Sequence, residues 1–169
     1  MCEVFLLKIL ILSDSHGRKA LVREVMQMHR DADFVCFLGD GISDLTSLEA
    51  IYGIPIYAVR GNCDWSPLSD TVPCTRILER EGHRLLLAHG HTLGVKGGEG
   101  GLIAAAHAEG CDIALFGHTH LPTERYLSEH GMYLFNPGSI GEPREGAPAY
   151  GLLMLDAGNV LFSHGSLRA

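Results

Sequence analysis

The sequence predicts an α/β domain in which two β-sheets pack face to face with helices outside both. Three observations lead there. Through Val59, apolar runs of strand length alternate with segments of helical apolar spacing, which argues for a parallel sheet. After that the pattern changes to short strands joined by tight turns, the signature of antiparallel pairs. The chain of 169 residues, 46% hydrophobic and 20% charged, can bury one sizeable core, so residues 1–169 read as a single domain.

The elements follow in order. Phe5 to Leu12 is an apolar run ending at Ser13 and Asp14, and Lys19 to Arg30 carries Leu21, Val22, Val25 and Met26 at helical spacing. Phe34 to Leu38 is a second strand that stops at Gly39-Asp40, residues 43–52 look helical, and Pro55 to Val59 is a third strand ending at Gly61-Asn62. Thr75 to Leu78 and Arg84 to Ala88 then form strands around the turn Arg80-Glu81-Gly82-His83. Leu102 to Ala108 is an Ala-rich helix, and Ile113 to Phe116 is a buried strand. From Glu124 onward two hairpins turn at Glu129-His130-Gly131 and at Asp156-Ala157-Gly158-Asn159. The apolar tail hairpin either closes the second sheet or supplies a dimer contact.

Several function classes are excluded. The apolar run Val4 to Leu12 is interrupted by Lys8 and falls far short of the ~20 residues a membrane helix needs. It also lacks a basic leader and a small-residue cleavage site, so no secretory signal is expected. Five cysteines (Cys2, Cys36, Cys63, Cys74, Cys111) form no short CxxC pair, and Cys36 and Cys111 sit in apolar runs. A reducing cytoplasm is therefore the expected location. With a formal charge of −7, a basic surface for a stable nucleic-acid complex is not expected.

The chemistry lies at the strand ends. Asp14 with His16, Asp40, Asn62, His89, and His118 with His120 each follow an apolar strand at its carboxyl end, the edge where ligands bind in open α/β sheets. Asp-x-His and His-x-His direct their outer residues to one side of an extended segment. Singly, each residue reads more readily as a turn or helix-cap residue or a hydrogen-bonded structural histidine than as a ligand. The signal is their joint occurrence at five successive strand ends. Seven oxygen and nitrogen donors, with Asp40 able to bridge through its two oxygens, suffice for two ions, and the mixed donor set suits Mn²⁺, Fe or Zn²⁺. Two ions roughly 3.5–4 Å apart clamp an in-line displacement and generate hydroxide near neutral pH, which is the chemistry of hydrolysis at phosphorus.

Asp14-Ser15-His16, Gly39-Asp40-Gly41, Gly61-Asn62-Cys63-Asp64, His89-Gly90-His91 and Gly117-His118-Thr119-His120 resemble, in order, the five motifs of the calcineurin-like metallophosphoesterases. Asn136-Pro137-Gly138-Ser139 followed by Pro143-Arg144 extends the resemblance to the small YfcE-like phosphodiesterases of bacteria and archaea. The resemblance implies a four-layer αββα sandwich of two mixed β-sheets flanked by helices. It also implies Asp14, His16 and His120 at a first metal, Asn62, His89 and His118 at a second, Asp40 bridging, and a bridging hydroxide as nucleophile. Two divalent ions are expected, Mn²⁺ first, with Zn²⁺, Fe, Ni²⁺ or Co²⁺ as the other candidates. The substrate would be a small phosphate ester, a diester before a monoester.

Cys63 departs from the histidine most of the superfamily has there. A thiol with a pKa near ~8.5 donates poorly to an alkoxide, so weak activity and a preference for good leaving groups are expected. His91 is a candidate replacement acid or an exposed loop histidine, and Asp44 a partner of the ligand loops or an exposed helix-start carboxylate. Arg144 and, as a lesser candidate, Arg60 can bind a nonbridging phosphate oxygen. The stretch Gly94 to Gly101 reads as a flexible connection, and His29, His83, His107, His130 and His164 as residues of helix faces or turns without chemistry. The rival to an enzyme is a binding scaffold, since a retromer subunit has this fold, but every expected ligand position is filled here. A homo-oligomer remains compatible with the sequence.

Overall fold

The computed structural model describes residues 6–168. The Phe5 start of the first expected strand, Val4 and Cys2 lie outside them. The first sheet is built around three parallel strands, β1 (Leu7–Leu12), β2 (Phe34–Phe37) and β3 (Ile56–Ala58). β1 is flanked by a strand on each side, so the backbone groups in its centre have ladder partners. Helix α1 (Lys19–Met28) returns the chain from β1 to β2 and buries Val22, Val25 and Met26 on the sheet.

The second sheet comprises β4 (Thr75–Arg80), β5 (His83–Ala88), β6 (Ile113–Phe116), β7 (Thr123–Leu127) and β8 (Met132–Asn136) in the order β4-β5-β6-β8-β7. Hairpins pair β4 with β5 and β7 with β8, as expected, but the three middle strands β5, β6 and β8 run parallel. The Ala-rich helix α2 (Gly100–Ala108) is the crossover that makes β5 and β6 parallel.

The tail hairpin, β9 (Ala149–Asp156) and β10 (Asn159–Ser166), joins the first sheet, whose order is β10-β9-β1-β2-β3. It pairs antiparallel with β1 in the register Ile9↔Leu153. The expected closure of the second sheet by this hairpin is thereby replaced. The reason is packing, because Leu153 and Leu155 are fully buried in the core between the sheets.

Alternate residues of the parallel strands serve different layers. Ile9, Ile11, Cys36 and Leu38 meet Leu85, Leu87, Ile113, Leu115 and Phe135 between the sheets. Leu10, Leu12, Val35 and Phe37 face outward onto α1, and Leu86, Ala88, Ala114 and Phe116 onto α2 through Leu102 and Ala106. Burial on both faces explains the uninterrupted apolar runs. The result is the four-layer αββα sandwich of two mixed sheets.

Three local expectations are corrected. Residues 43–52 are not one helix: a 3₁₀ turn (Ile42–Leu45) and a short helix (Leu48–Tyr52) are separated by Ser47, whose φ of 68° is left-handed. The Thr46 hydroxyl donates to the Ser43 carbonyl and closes the first turn early. His83 and His164 are strand residues rather than turn or helix residues. His83 lies 2.6 Å from the Asp112 carboxylate, and His164 contacts the Asn136 carbonyl at 2.8 Å and stacks on Phe135. The glycine-rich stretch is not a loose connection either, since Gly97 donates to the Gly94 carbonyl and Gly100 and Gly101 open α2.

Candidate metal centre

The carboxyl ends of β1, β2 and β3 and those of β5 and β6 meet at one edge of the sandwich. Bonds between the sheets hold them in register. His89 Nδ1 lies 2.7 Å from the Leu38 carbonyl, and the His118 amide donates to Asp14 Oδ2 at 3.1 Å. All seven candidate ligands come together there. Asp14, His16 and His120 form one group, and Asp40, His89 and His118 another, with donor atoms of each group within 4.8 Å of one another. Asn62 Oδ1 lies 3.2 Å from His89 Nε2 and so joins the second.

Asp40 lies between the groups. Its Oδ1 accepts the Cys63 amide at 2.7 Å, and its Oδ2 is 3.3 Å from His89 Nε2 and 3.8 Å from His16 Nε2. One oxygen, not two, therefore faces both groups.

The site fits divalent cations on its own geometry. Asp14 is fully buried, with Oδ2 accepting the Ser13 hydroxyl at 2.5 Å and Oδ1 making no hydrogen bond, its near neighbour being His120 Nε2 at 3.2 Å. A buried carboxylate oxygen without a donor is costly unless a positive charge faces it. Ring nitrogens also crowd together: His89 Nε2 and His118 Nδ1 are 3.1 Å apart, and His16 Nε2 and His120 Nε2 3.3 Å. The outward nitrogens of two rings are occupied, His89 Nδ1 by the Leu38 carbonyl and His120 Nδ1 by the Glu142 carbonyl at 2.6 Å. An N–H engaged by a carbonyl leaves the lone pair on the other nitrogen, which here points into the cluster.

The charges follow from this packing. Burial alone would raise the Asp40 carboxyl, but the His89 ring and the Cys63 amide outweigh it and hold Asp40 well below the usual carboxylate range. Burial and the nearby charges of His89 and Lys96 push the His118 ring down to about 4. For His89, burial works downward and the Asp40 and Asp14 carboxylates prevail, so its pKa is raised. Partial burial and the Asp40 carboxylate push the Cys63 thiol up to about 11.

The backbone is bent to achieve this. Asp14, His16, Asp40, His118 and His120 all have φ between 44° and 68°, the left-handed region that side-chain-bearing residues rarely adopt. Two glycines make room: a Cβ on Gly61 would overlap Asp40 Oδ1, and one on Gly117 would overlap the Ser13 hydroxyl.

The other candidates surround the cluster. Cys63 is exposed, with its Sγ 3.3 Å from Asn62 Nδ2. His91 is half-buried, its ring 5.3 Å from that of His89, and burial followed by the His89 charge lowers its pKa. His91 and Arg60 share a cleft of about 530 Å³ with Asn62, while Arg144 lines a cleft of about 290 Å³ with Lys96 and Thr119. Neither arginine lies within the cluster. Asp44 is buried and accepts the Ser15 hydroxyl at 2.6 Å and the Gly17 amide at 2.9 Å, so it ties down the loop that carries His16.

Sequence reasoning missed Asp64. Its carboxylate accepts four amides, from Asp40 at 2.9 Å and from Gly41, Ile42 and Gly61 at 2.8 Å each, and so fixes the β2 ligand loop against the β3 loop. The position of an acid three residues after Gly61 was a usable signal for the local turn. Buried Ser139 and Asn136 act likewise, donating to the Asp14 carbonyl at 2.8 Å and the Gly117 carbonyl at 3.0 Å.

Residues 7–158 match the model of the calcineurin-like phosphoesterase superfamily domain. The chain is 31% identical to the probable metallophosphoesterase YsnB of Bacillus subtilis over 92% of its own length and 90% of that protein. It is 30% identical to the phosphodiesterase YfcE of Escherichia coli, covering 92% of each chain. A solved structure of a predicted phosphoesterase from Streptococcus pneumoniae superposes with a TM-score of 0.80 at 25% identity, covering 96% of this chain and 90% of that one. Motif order, fold and relatives agree: the chain belongs to the calcineurin-like phosphoesterase superfamily.

Proposed function

We propose that the protein is a two-metal phosphodiesterase acting on small phosphate esters. The observation that carries this reading is the shared Asp40 Oδ2, which faces both donor groups at once, beside the buried Asp14 Oδ1. Asp14, His16 and His120 would hold one ion and Asn62, His89 and His118 the other, with Asp40 between them. Two such ions supply a hydroxide nucleophile at neutral pH and neutralise charge developing on the phosphoryl oxygens.

The chain's own groups do the rest. The Arg144 guanidinium, in the smaller cleft with Lys96, binds nonbridging oxygens or the retained ester arm. His91, in the cleft beside Asn62, delivers a proton to the departing oxygen. Cys63 is a thiol at neutral pH and contributes little acid catalysis. A cleft lined by Asn62 and a second lined by Thr119, the residue between His118 and His120, suit the two arms of a diester, which favours a diesterase over a monoesterase. Cys36, Cys63, Cys74 and Cys111 are unpaired, which suits a reducing cytoplasm. The donor set accommodates Mn²⁺, and Zn²⁺, Fe, Ni²⁺ and Co²⁺ are its competitors.

The test is hydrolysis of bis-p-nitrophenyl phosphate and p-nitrophenyl phosphate by metal-stripped protein with Mn²⁺ restored, and Asp40→Ala as control. Metal-dependent turnover favouring the diester, lost in the variant, is expected. Preference for the monoester would make it a phosphomonoesterase. Bound metal without turnover of either ester would make it a scaffold.

A further inference from the structure

The larger cleft contains a feature that hydrolysis itself does not require. Trp65, the single tryptophan of the chain, is 88% exposed three residues after Asn62 and lines the same cleft as Asn62, Arg60 and His91. An indole left almost wholly in water forgoes the burial that usually stabilises so large an apolar group.

Its frame is nevertheless fixed. The preceding residue, Asp64, is held by four backbone amides. On the other side, fully buried Ser69 donates its hydroxyl to the Asp64 carbonyl at 2.8 Å, and the Ser66 amide donates to the Ser69 hydroxyl at 3.0 Å. A large rigid aromatic on a fixed backbone loses little entropy when a second ring covers it. The rim offers edge contacts: the Arg60 guanidinium, 3.4 Å from the Asp70 carboxylate, presents donors and Asp70 presents acceptors. A cleft of about 530 Å³ is large enough for a nucleoside.

We propose that Trp65 is a stacking platform that selects phosphodiesters carrying a nucleobase on one ester arm. The inference rests on the phosphodiesterase reading for the reaction, while the platform itself is detectable without turnover. The base lies on the indole face, its polar edge toward Arg60 and Asp70, and the phosphoryl group reaches the metal cluster through Asn62. Base stacking tolerates different bases, so the platform sets substrate class more than base identity.

The experiment uses the Mn²⁺-loaded protein, in which all tryptophan emission comes from Trp65. Adenosine 5′-monophosphate should quench that emission at concentrations where ribose 5-phosphate does not. By calorimetry, Trp65→Ala should weaken adenosine 5′-monophosphate by roughly tenfold or more and leave ribose 5-phosphate unchanged, while Trp65→Phe should keep most of the affinity. Equal responses to the two ligands, or equal affinity of the nucleotide for wild type and Trp65→Ala, would overturn the platform. Selective quenching in a protein that hydrolyses no ester would support the platform and overturn the phosphodiesterase reading instead.

Discussion

The two sheets reach the shared edge with different chemistry. The first contributes Asp14, His16, Asp40 and Asn62, thus both candidate carboxylates, whereas the second contributes His89, His118 and His120, imidazoles alone. Neither sheet carries enough donors for two ions. In the proposed centre the first would bring the negative charge that draws cations and the second the imidazoles that complete the shell, so such a centre would form only while the sheets are packed. The inter-sheet core and the His89–Leu38 and His118–Asp14 contacts are accordingly part of the site.

That division can be broken from either side. Asp40→Ala removes the one group facing both donor sets and should lower diester turnover on the order of a thousandfold, with loss of bound metal seen by elemental analysis. His118→Ala removes one donor of one set and should cost less. Equal losses in turnover and metal content would mean that Asp40 is not shared. Asp64→Ala leaves the second sheet untouched but strands four amides of the first sheet's loops. A loss of about 3 kcal/mol in urea unfolding and a 10- to 100-fold fall in metal affinity are expected, partly restored by Asp64→Asn. An unchanged midpoint would refute the tie.

Cys63→His places an imidazole among the first sheet's donors. Turnover of an alkyl ester should rise about tenfold, with aryl esters little changed, because only the former needs its leaving oxygen protonated. The smallest effect lies away from the edge. His29, at the end of α1, has its pKa lowered by burial and then by Lys8. A histidine held neutral in the folded state makes stability fall as pH drops below its unfolded value of about 6.5. In thermal unfolding, His29→Gln should therefore narrow the gap between pH 7.5 and pH 5.5.

The clustering of the candidate ligands was legible because each donor directly follows an apolar run, and those runs are continuous because both faces of the parallel strands are covered. The hairpins after Glu124 were legible from their turn residues. What was hidden depends on distant partners. Leu153 looks the same whether its strand joins the first sheet or the second, and only its pairing with Ile9 decides. Asp64 reads as a turn residue until Asp40, Gly41 and Ile42 arrive from another strand, and the exposure of Trp65 follows from what fails to cover it. The break at Ser47 rests on one backbone torsion that the helical spacing of residues 43–52 does not encode.

The left-handed backbone at Asp14, His16, Asp40, His118 and His120 has a consequence for inheritance. A glycine at His16, whose ring bonds only the neighbouring His120, would relax the local torsion and gain several tenths of a kcal/mol of stability, whereas at Asp14 or Asp40 it would strand the Ser13 hydroxyl and the His118 and Cys63 amides. Losing a ligand and gaining stability are thus the same mutation at His16 and opposed at the two carboxylates. A lineage that no longer used the site would lose the His16 ring before either carboxylate, and this chain keeps that ring.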